Sequence, residues 1–317
     1  MQTILGSTGQ IGEELAKALY TDFTKEIRLV SRHPKKIHET DEVISADLLD
    51  AQQTEQAILG SDIVYFTAGL PLDTERWINE FPVMIENIIS ACEKHKAKLV
   101  FFDNTYMYPQ TSEPLIESTP FKPNGAKGKV RAALANMVLQ AIENQRIEAM
   151  ICRAPEFYGP GKTQSFTNFM VLYPLLAGKE AKVFLKDNTL RTLIYTPDAS
   201  RAMALLGNTA DAYNQTWHLP CDDNRLTYSQ LIHLVGETFH IQPHYKILKR
   251  WQLWLAALFN KNAKDGAELL PRYAADNIFV SDKFKIRFPE FPVTSYQEGL
   301  KNIWEEKQKR PDHGRAR

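Results

Sequence analysis

Net charge, cysteine and long apolar runs are all scarce in this 317-residue chain. Lys plus Arg number 38 and Asp plus Glu number 38, so the formal net charge is zero. That balance gives no electrostatic reason to expect nucleic acid or an anionic membrane as a partner. The end of the chain, residues 307–317, is locally basic and reads as a frayed, solvated tail. No apolar run approaches the ~18 residues of a membrane span. Cys92, Cys152 and Cys221 lie far apart and form no CxxC, which fits buried free thiols in a reducing cytoplasm. A glycine-rich loop begins so soon after Met1 that no signal peptide fits before it, so the expected location is cytoplasmic. His233, His240 and His244 have no partners at metal-ligand spacing, and no metal site is expected. Internal repeats, low-complexity linkers and basic–aromatic arrays for nucleic acid are likewise missing.

What the chain does have is Leu5-Gly6-Ser7-Thr8-Gly9-Gln10-Ile11-Gly12, between a short apolar run and a helical pattern. A strand that turns sharply into a helix needs glycine for three reasons: a backbone conformation barred to residues with Cβ, close approach to a pyrophosphate, and close packing of helix on strand. The helix N-terminus offers free N–H groups and the positive dipole end to phosphates. The expected cofactor site therefore includes Gly6, Thr8, Gly9, Gln10, Ile11 and Gly12.

A second strand, Ile27-Arg28-Leu29-Val30, ends at Ser31. About 20 positions past a glycine loop, an acidic residue would bind the adenosine ribose of NAD. Ser31 and Arg32 stand there instead. A guanidinium grips a 2′-phosphate that a carboxylate would repel, so NADP(H) is expected over NAD(H). Further strands read at residues 43–45, 63–67, 98–102 and 148–153. Asp47, with Leu48 behind it, either meets the adenine amino group or caps the helix near Ala51. Thr67, Ala68 and Gly69 at the fourth strand end leave room for cofactor. Strand and helix alternating four times predicts an α/β fold, a Rossmann-type doubly wound parallel sheet with helices on both faces. Residues 1–157 are expected to form this cofactor domain, its sheet also receiving residues 190–220. Residues 158–317 mostly form a smaller C-terminal cap.

The chain resembles the extended short-chain dehydrogenase/reductase superfamily, the NAD(P)-dependent epimerase/dehydratase type, over nearly all its length. The loop matches that family's GxxGxxG. Arg153-Ala154-Pro155-Glu156-Phe157-Tyr158-Gly159-Pro160-Gly161 matches its RPxxxYGPG segment. Thr192 to Asp198 and Phe284 to Gly299 resemble its late strand and its C-terminal helix start. The resemblance implies Pro155 and Tyr158 beside the nicotinamide. It implies a phosphate contact at Arg191, with Phe166, Asn168 and Phe169 as further substrate contacts. It also implies a homodimer through helices 77–96 and 127–145, although in a monomer the same apolar stripes would simply face the sheet.

The catalytic positions depart from that pattern. The family's YxxxK tyrosine is its general acid/base. The matching stretch is Gly125-Ala126-Lys127-Gly128-Lys129, so Lys129 fits the lysine and glycine replaces the tyrosine. Asn104 stands where the family has Ser or Thr; it can polarise a carbonyl but is no acid at neutral pH. An alkoxide formed by hydride transfer needs a proton donor within reach. Tyr106 or Tyr108 from the strand end, Lys127 or Lys129, or water are the candidates. Lys127 is expected in solvent and Lys129 on the nicotinamide ribose. If Gly125 occupies the tyrosine place, Gly125→Tyr would restore proton transfer. These residues point to an NADP(H)-dependent oxidoreductase or epimerase-like enzyme acting on a small carbonyl or hydroxyl substrate. The rival is a non-catalytic NADP(H)-binding sensor or interaction protein. Asp198 is expected to cap the helix after it; the apolar stretch 248–259, with two tryptophans, lines a substrate pocket, covers an interface or, by default, fills the cap's core.

Overall fold

A computed structural model describes residues 1–161 and 164–309. Strand and helix alternate as the periodicity requires. They run β1 (Gln2–Leu5), α1 (Gln10–Asp22), β2 (Ile27–Ser31), β3 (Glu42–Ser45), α2 (Ala51–Ile58), β4 (Ile63–Phe66), α3 (Thr74–His95), β5 (Lys98–Asp103), α4 (Gly125–Glu143) and β6 (Ala149–Arg153). The strands pair in parallel in the order β3-β2-β1-β4-β5-β6, and the strand Gln215–His218 joins in parallel beyond β6 as the seventh. Helices cover both faces, so β1 and β6 are buried along their whole length, and β6 reads as an apolar run up to Arg153 rather than an alternation. The order reverses between β1 and β4. Doubly wound sheets bind ligands in the crevice over the carboxyl ends at such a point.

Two apolar layers clamp the sheet. On one face α3 and α4 bring Ile85, Ile88, Leu134 and Val138. On the other, α1 and the helix Thr196–Gly207 bring Leu15, Leu19, Ala199 and Met203. A third cluster, including Tyr158, Leu172, Leu231, Tyr296 and Leu300, builds a smaller cap from the chain after β6.

Several local expectations change. Asp50, not Asp47, caps α2, its Oδ1 accepting the N–H groups of Gln52 and Gln53 at 2.9 Å each. Asp47 accepts the Leu49 N–H at 3.1 Å instead. Asp198 does not cap its helix: its carboxylate accepts from Thr294 N–H at 2.6 Å, Thr294 Oγ1 at 2.8 Å and Arg201 at 2.6 Å, tying the helix to the cap. The helix Arg250–Phe259 buries none of its residues, so it does not fill the core. All three cysteines are buried free thiols, and burial pushes the Cys92 thiol up to about 12. Among the described residues, no helix is long and apolar enough to cross a membrane, and no group of His, Cys, Asp or Glu is placed to hold a metal. Residues 310–317, most of the basic tail, lie outside the described residues.

Candidate active site

The three loop glycines have three different surroundings. Gly6 has φ +94°, and a Cβ there would stand 2.5 Å from the backbone of Ala68 at the end of β4. A Cβ on Gly12 would stand 2.6 Å from the Gly6 carbonyl, so the helix could not pack this closely with a side chain there. Gly9 is extended at φ −83°, and its Cβ would meet only the Gly6 carbonyl at 3.4 Å. Its hydrogen therefore serves access rather than packing. Gly9 is also the N-cap of α1 and gives no side-chain cap, so the first turn keeps donors for an anion. Thr8 is exposed above the loop and Ile11 is buried. Gln10 is buried and donates to Thr196 Oγ1 at 3.0 Å and to the Pro160 carbonyl, while its Oε1 has no partner among the described residues. Thr67 Oγ1 donates to the Leu5 carbonyl at 3.1 Å, and half-buried Ala68 and exposed Gly69 edge the crevice. These residues fit a dinucleotide: a glycine cradle, an uncapped helix start and an orphaned polar atom.

Beyond β2, Ser31 is half-buried, with Oγ accepting the His33 N–H at 3.3 Å, and Arg32 is exposed. No carboxylate follows β2 before Glu39. Leu48 is buried next to half-buried Asp47.

At the start of α4 only one of two lysines can face inward, because residues two apart on a helix point roughly 200° apart. That lysine is Lys127, which is fully buried, while Lys129 is exposed. The expectation that Lys127 faces solvent is therefore overturned. Its Nζ donates to the Asp265 carbonyl at 2.7 Å, to Glu268 Oε1 at 3.1 Å and to Thr74 Oγ1. Four residues before Lys127 stands Pro123, so neither lysine has a tyrosine at the family spacing. Gly125 has φ +80°, and a Cβ there would collide with the Glu268 carboxylate. That carboxylate also accepts the Lys127 N–H at 3.2 and 3.3 Å, so it sits at the positive end of α4.

Three further polar groups, Asn104, Tyr106 and Arg272, follow one another by contact. Asn104 Oδ1 accepts the Tyr106 N–H at 2.9 Å, which leaves Nδ2 as its remaining donor. Tyr106 stacks on Trp77 with centroids 6.1 Å apart, and the Arg272 guanidinium lies 4.4 Å from its ring centroid. Burial pushes the Tyr106 phenol up. Arg272 Nε is shut off from solvent and has no hydrogen-bond partner among the described residues.

Tyr108, the other candidate tyrosine, is fully buried in a separate polar network. Its hydroxyl donates to His218 Nε2 at 2.7 Å and accepts from Arg153 Nη1 at 2.7 Å. His218 Nδ1 lies 2.7 Å from the Val280 carbonyl, which assigns the proton to Nδ1. Burial holds His218 down at about 3 and pushes Tyr108 up to about 12. Asp103 completes this buried network, pairing with Arg131 at 2.5 Å and Arg153 at 3.2 Å.

On the cap side, Pro155 is buried. The Tyr158 ring packs against Tyr195 and Tyr296, centroids 5.5 Å away in each case, and its hydroxyl reaches toward Gly299. The side chain thus enters the cap core. Phe166 packs edge-on against Phe184 at 5.6 Å, and Phe169 is exposed. Asn168 clamps Gly159, accepting its N–H at 3.3 Å and donating to its carbonyl at 2.7 Å. Arg191, 2 % exposed, donates to Glu156 Oε2 at 3.1 Å and to the Arg272 carbonyl at 2.7 Å. Glu156 Oε1 in turn accepts from Thr167 at 2.7 Å, Tyr228 at 2.9 Å and Tyr273 at 3.1 Å.

Glu156, Glu268 and Arg272 are the polar groups that sequence reasoning missed. Glu156 had a signal: a carboxylate inside an apolar strand-end motif requires a partner. Glu268 and Arg272 had none, since they stand in a short irregular helical stretch, Ala267–Tyr273, brought to α4 only by tertiary structure.

The family model described as NAD dependent epimerase/dehydratase matches residues 3–218, and the match ends with the seventh strand. The chain belongs to that family. No curated protein matches it. Several solved structures share the whole architecture. A UDP-glucuronic acid 4-epimerase from Bacillus cereus in complex with NAD has a TM-score of 0.78 at 16% identity, covering 98% of this chain and 99% of that one. The Thermus thermophilus UDP-glucose 4-epimerase complex with NAD has a TM-score of 0.77 at 16% identity, with 97% and 99% covered. A dTDP-glucose 4,6-dehydratase from Streptomyces venezuelae, with NAD bound, has a TM-score of 0.76 at 15% identity, with 97% of each chain covered. At these identities the likeness speaks for the fold.

Proposed function

We propose that this family member is an atypical NADP(H)-dependent oxidoreductase or epimerase-like enzyme acting on a small carbonyl or hydroxyl substrate. The observation that carries the reading is the glycine cradle, in which Gly6 and Gly12 close on their neighbours while Gly9 leaves the uncapped start of α1 open. In this reading Gly6, Thr8, Gly9, Gln10, Ile11 and Gly12 hold the pyrophosphate. Asp47 and Leu48 border the adenine, and Ser31 with Arg32 takes the 2′-phosphate. Thr67, Ala68, Gly69 and Pro155 border the nicotinamide half. A bound nicotinamide dinucleotide supplies a hydride donor or acceptor. Lys127, rather than Lys129, is the lysine for the nicotinamide ribose. Asn104 Nδ2 donates to the substrate oxygen, and Tyr106 or the Lys127–Glu268 pair holds the proton that an absent tyrosine would carry.

NADP(H) over NAD(H) rests on Arg32 and on the lack of a carboxylate beside Ser31. The NAD bound in those neighbours belongs to those proteins. Nor is a nucleotide-sugar substrate carried over, since Glu156 already neutralises the buried Arg191. Residues 1–157, with 190–220 returning to the sheet, form the cofactor half, and 158–317 mostly the cap. A homodimer through α3 and α4 would cover Ile78 and Val83, the exposed apolar residues of α3. The buried thiols suit a cytoplasmic setting.

One observation favours the second reading, a dinucleotide-binding sensor. Glu268 and Arg272 from the cap already stand against Lys127 and Tyr106, the groups that the first reading turns toward a substrate. Equilibrium fluorescence titration with NADPH and NADH, then competition with NADP+ and NAD+, tests both. Tighter binding of the phosphorylated pair, followed by NADPH consumption with a carbonyl substrate, is the expected result. Strong preference for one redox form with no turnover would favour the sensor. No binding of any of the four would overturn both.

A further inference from the structure

The neutrality of the whole chain hides a local asymmetry. Between Glu237 and Asp265 there is no acidic residue, while Lys246, Lys249, Arg250, Lys261 and Lys264 all fall in that interval. Lys246 pairs with Glu180 and Lys261 with Asp73. Lys249, Arg250 and Lys264 are exposed and make no ion pair among the described residues.

The helix Arg250–Phe259 lies in the middle of this basic interval. Trp251, Trp254, Leu255 and Leu258 recur at i, i+3, i+4 and i+7, so they share one face. That face is turned outward: Trp251 is 62 % exposed, Trp254 64 % and Leu258 56 %, with Phe259 beside it at 85 %. On the inner side Leu253 packs against the cap cluster. The helix therefore shows water the face that a soluble helix hides, and large exposed apolar patches mark interaction sites.

We propose that this helix is a membrane-surface anchor that docks on an anionic lipid bilayer. Ten residues are too few to span one, but a helix with Trp, Leu and Phe on one face and Lys or Arg at its edges lies in the interfacial plane. The aromatic rings enter the boundary between headgroups and acyl chains, and Lys249, Arg250 and Lys264 meet the lipid phosphates. Charge decides between this occupant and a second copy of the chain. Two copies joined through this face would set the same cations against each other, with no acid in the interval to offset them, whereas an anionic surface complements them. The inference stands apart from any catalytic role.

Vesicle co-sedimentation of the full chain tests it, with phosphatidylcholine vesicles and the same vesicles enriched in phosphatidylglycerol. Binding is expected only to the anionic vesicles, with a blue shift of tryptophan emission and release at high salt. The variants Trp251→Ser/Trp254→Ser and Lys249→Glu/Arg250→Glu should each weaken binding by about ten-fold or more. Their thermal unfolding should match that of the parent. Absence of binding, equal binding to neutral vesicles, or unchanged binding by either folded variant would overturn the proposal. So would a dimer in sedimentation equilibrium that Trp251→Ser/Trp254→Ser converts to monomer, since a second copy would then own the face.

Discussion

The Glu268 carboxylate fills the space that a side chain on Gly125 would need, and it also bonds the buried Lys127 one turn into α4. The chain after β6 and the start of α4 thus meet at Gly125, four residues before the exposed Lys129. Glycine at 125 is required by this contact and by a backbone angle of φ +80°.

Gly125→Tyr is therefore expected to harm the protein rather than restore proton transfer, which reverses the expectation drawn from family spacing. The left-handed conformation alone costs a residue with Cβ roughly 1–2 kcal/mol, before the collision is counted. Thermal unfolding should show a lower midpoint for Gly125→Ala and a still lower one for Gly125→Tyr. Adding Glu268→Ala to Gly125→Ala should cost less than the sum of the two single changes, because the collision is removed. Strict additivity would mean that the two residues do not meet.

Removing either member of the Lys127–Glu268 pair should destabilise the fold. Lys127 is fully buried, and charge-assisted hydrogen bonds of this kind are worth about 1.5–3 kcal/mol each. Glu268→Gln keeps the shape and removes the charge. It is expected to cost less than Glu268→Ala in a urea unfolding series. In the catalytic reading Glu268→Gln also lowers turnover while leaving dinucleotide affinity within about two-fold, a change under 0.5 kcal/mol.

The glycine loop was legible because backbone geometry dictates residue type there: Gly6 at φ +94° and Gly12 against the Gly6 carbonyl admit nothing larger. The parallel sheet was legible because its buried strands are apolar runs separated by amphipathic helices. Lys127 was misassigned to solvent because the phase of α4 depends on where the helix begins. Asn124 after Pro123 sets that start, and counting spacing alone could not give it. Glu268 could not be read at all, since it lies 141 residues from Lys127 and outside any periodic pattern. The helix Arg250–Phe259 shows the opposite failure. Its apolar stripe was plain, but the burial that normally goes with such a stripe did not follow.

Arg32→Asp should move cofactor preference toward NAD(H). In the NADP(H) reading a guanidinium bonded to a 2′-phosphate would be lost and a carboxylate suited to a ribose hydroxyl gained. A change of about 1.5–3 kcal/mol per charged hydrogen bond corresponds to a ten-fold or larger shift in the ratio of the two dissociation constants. Competition titration reads that ratio directly. An unchanged ratio would detach the NADP assignment from Arg32.

Acidification should destabilise the fold through His218. Burial holds its folded value at about 3, well below the ordinary histidine value of 6.5. Between those limits the unfolded chain binds a proton that the native imidazole refuses. Stability is therefore fully present above about pH 6.5 and falls as pH drops toward 3, by up to ~1.4 kcal/mol per unit. His218→Gln should lower stability at pH 7, through the lost contacts to Tyr108 and Val280, yet flatten the slope between pH 6 and roughly 4. Urea midpoints for both proteins across that range check the sign. A variant with the parent's slope would assign the acid sensitivity to the carboxylates instead.

Arg191 gives the sharpest test of substrate class. With its side chain 2 % exposed and bonded to Glu156 at 3.1 Å, it is shut off from solvent and from an entering diphosphate. Opening it would leave the Glu156 carboxylate, already holding three hydroxyls, buried beside a competing anion. UDP, dTDP or their sugars at millimolar concentration should therefore leave the unfolding midpoint unmoved. A dinucleotide that binds the native state should raise it, by an amount set by concentration over dissociation constant, about 2.7 kcal/mol at a hundred-fold excess. A midpoint raised by a nucleotide sugar would show that the Arg191–Glu156 pair opens, and the substrate would then belong with those of the structural neighbours.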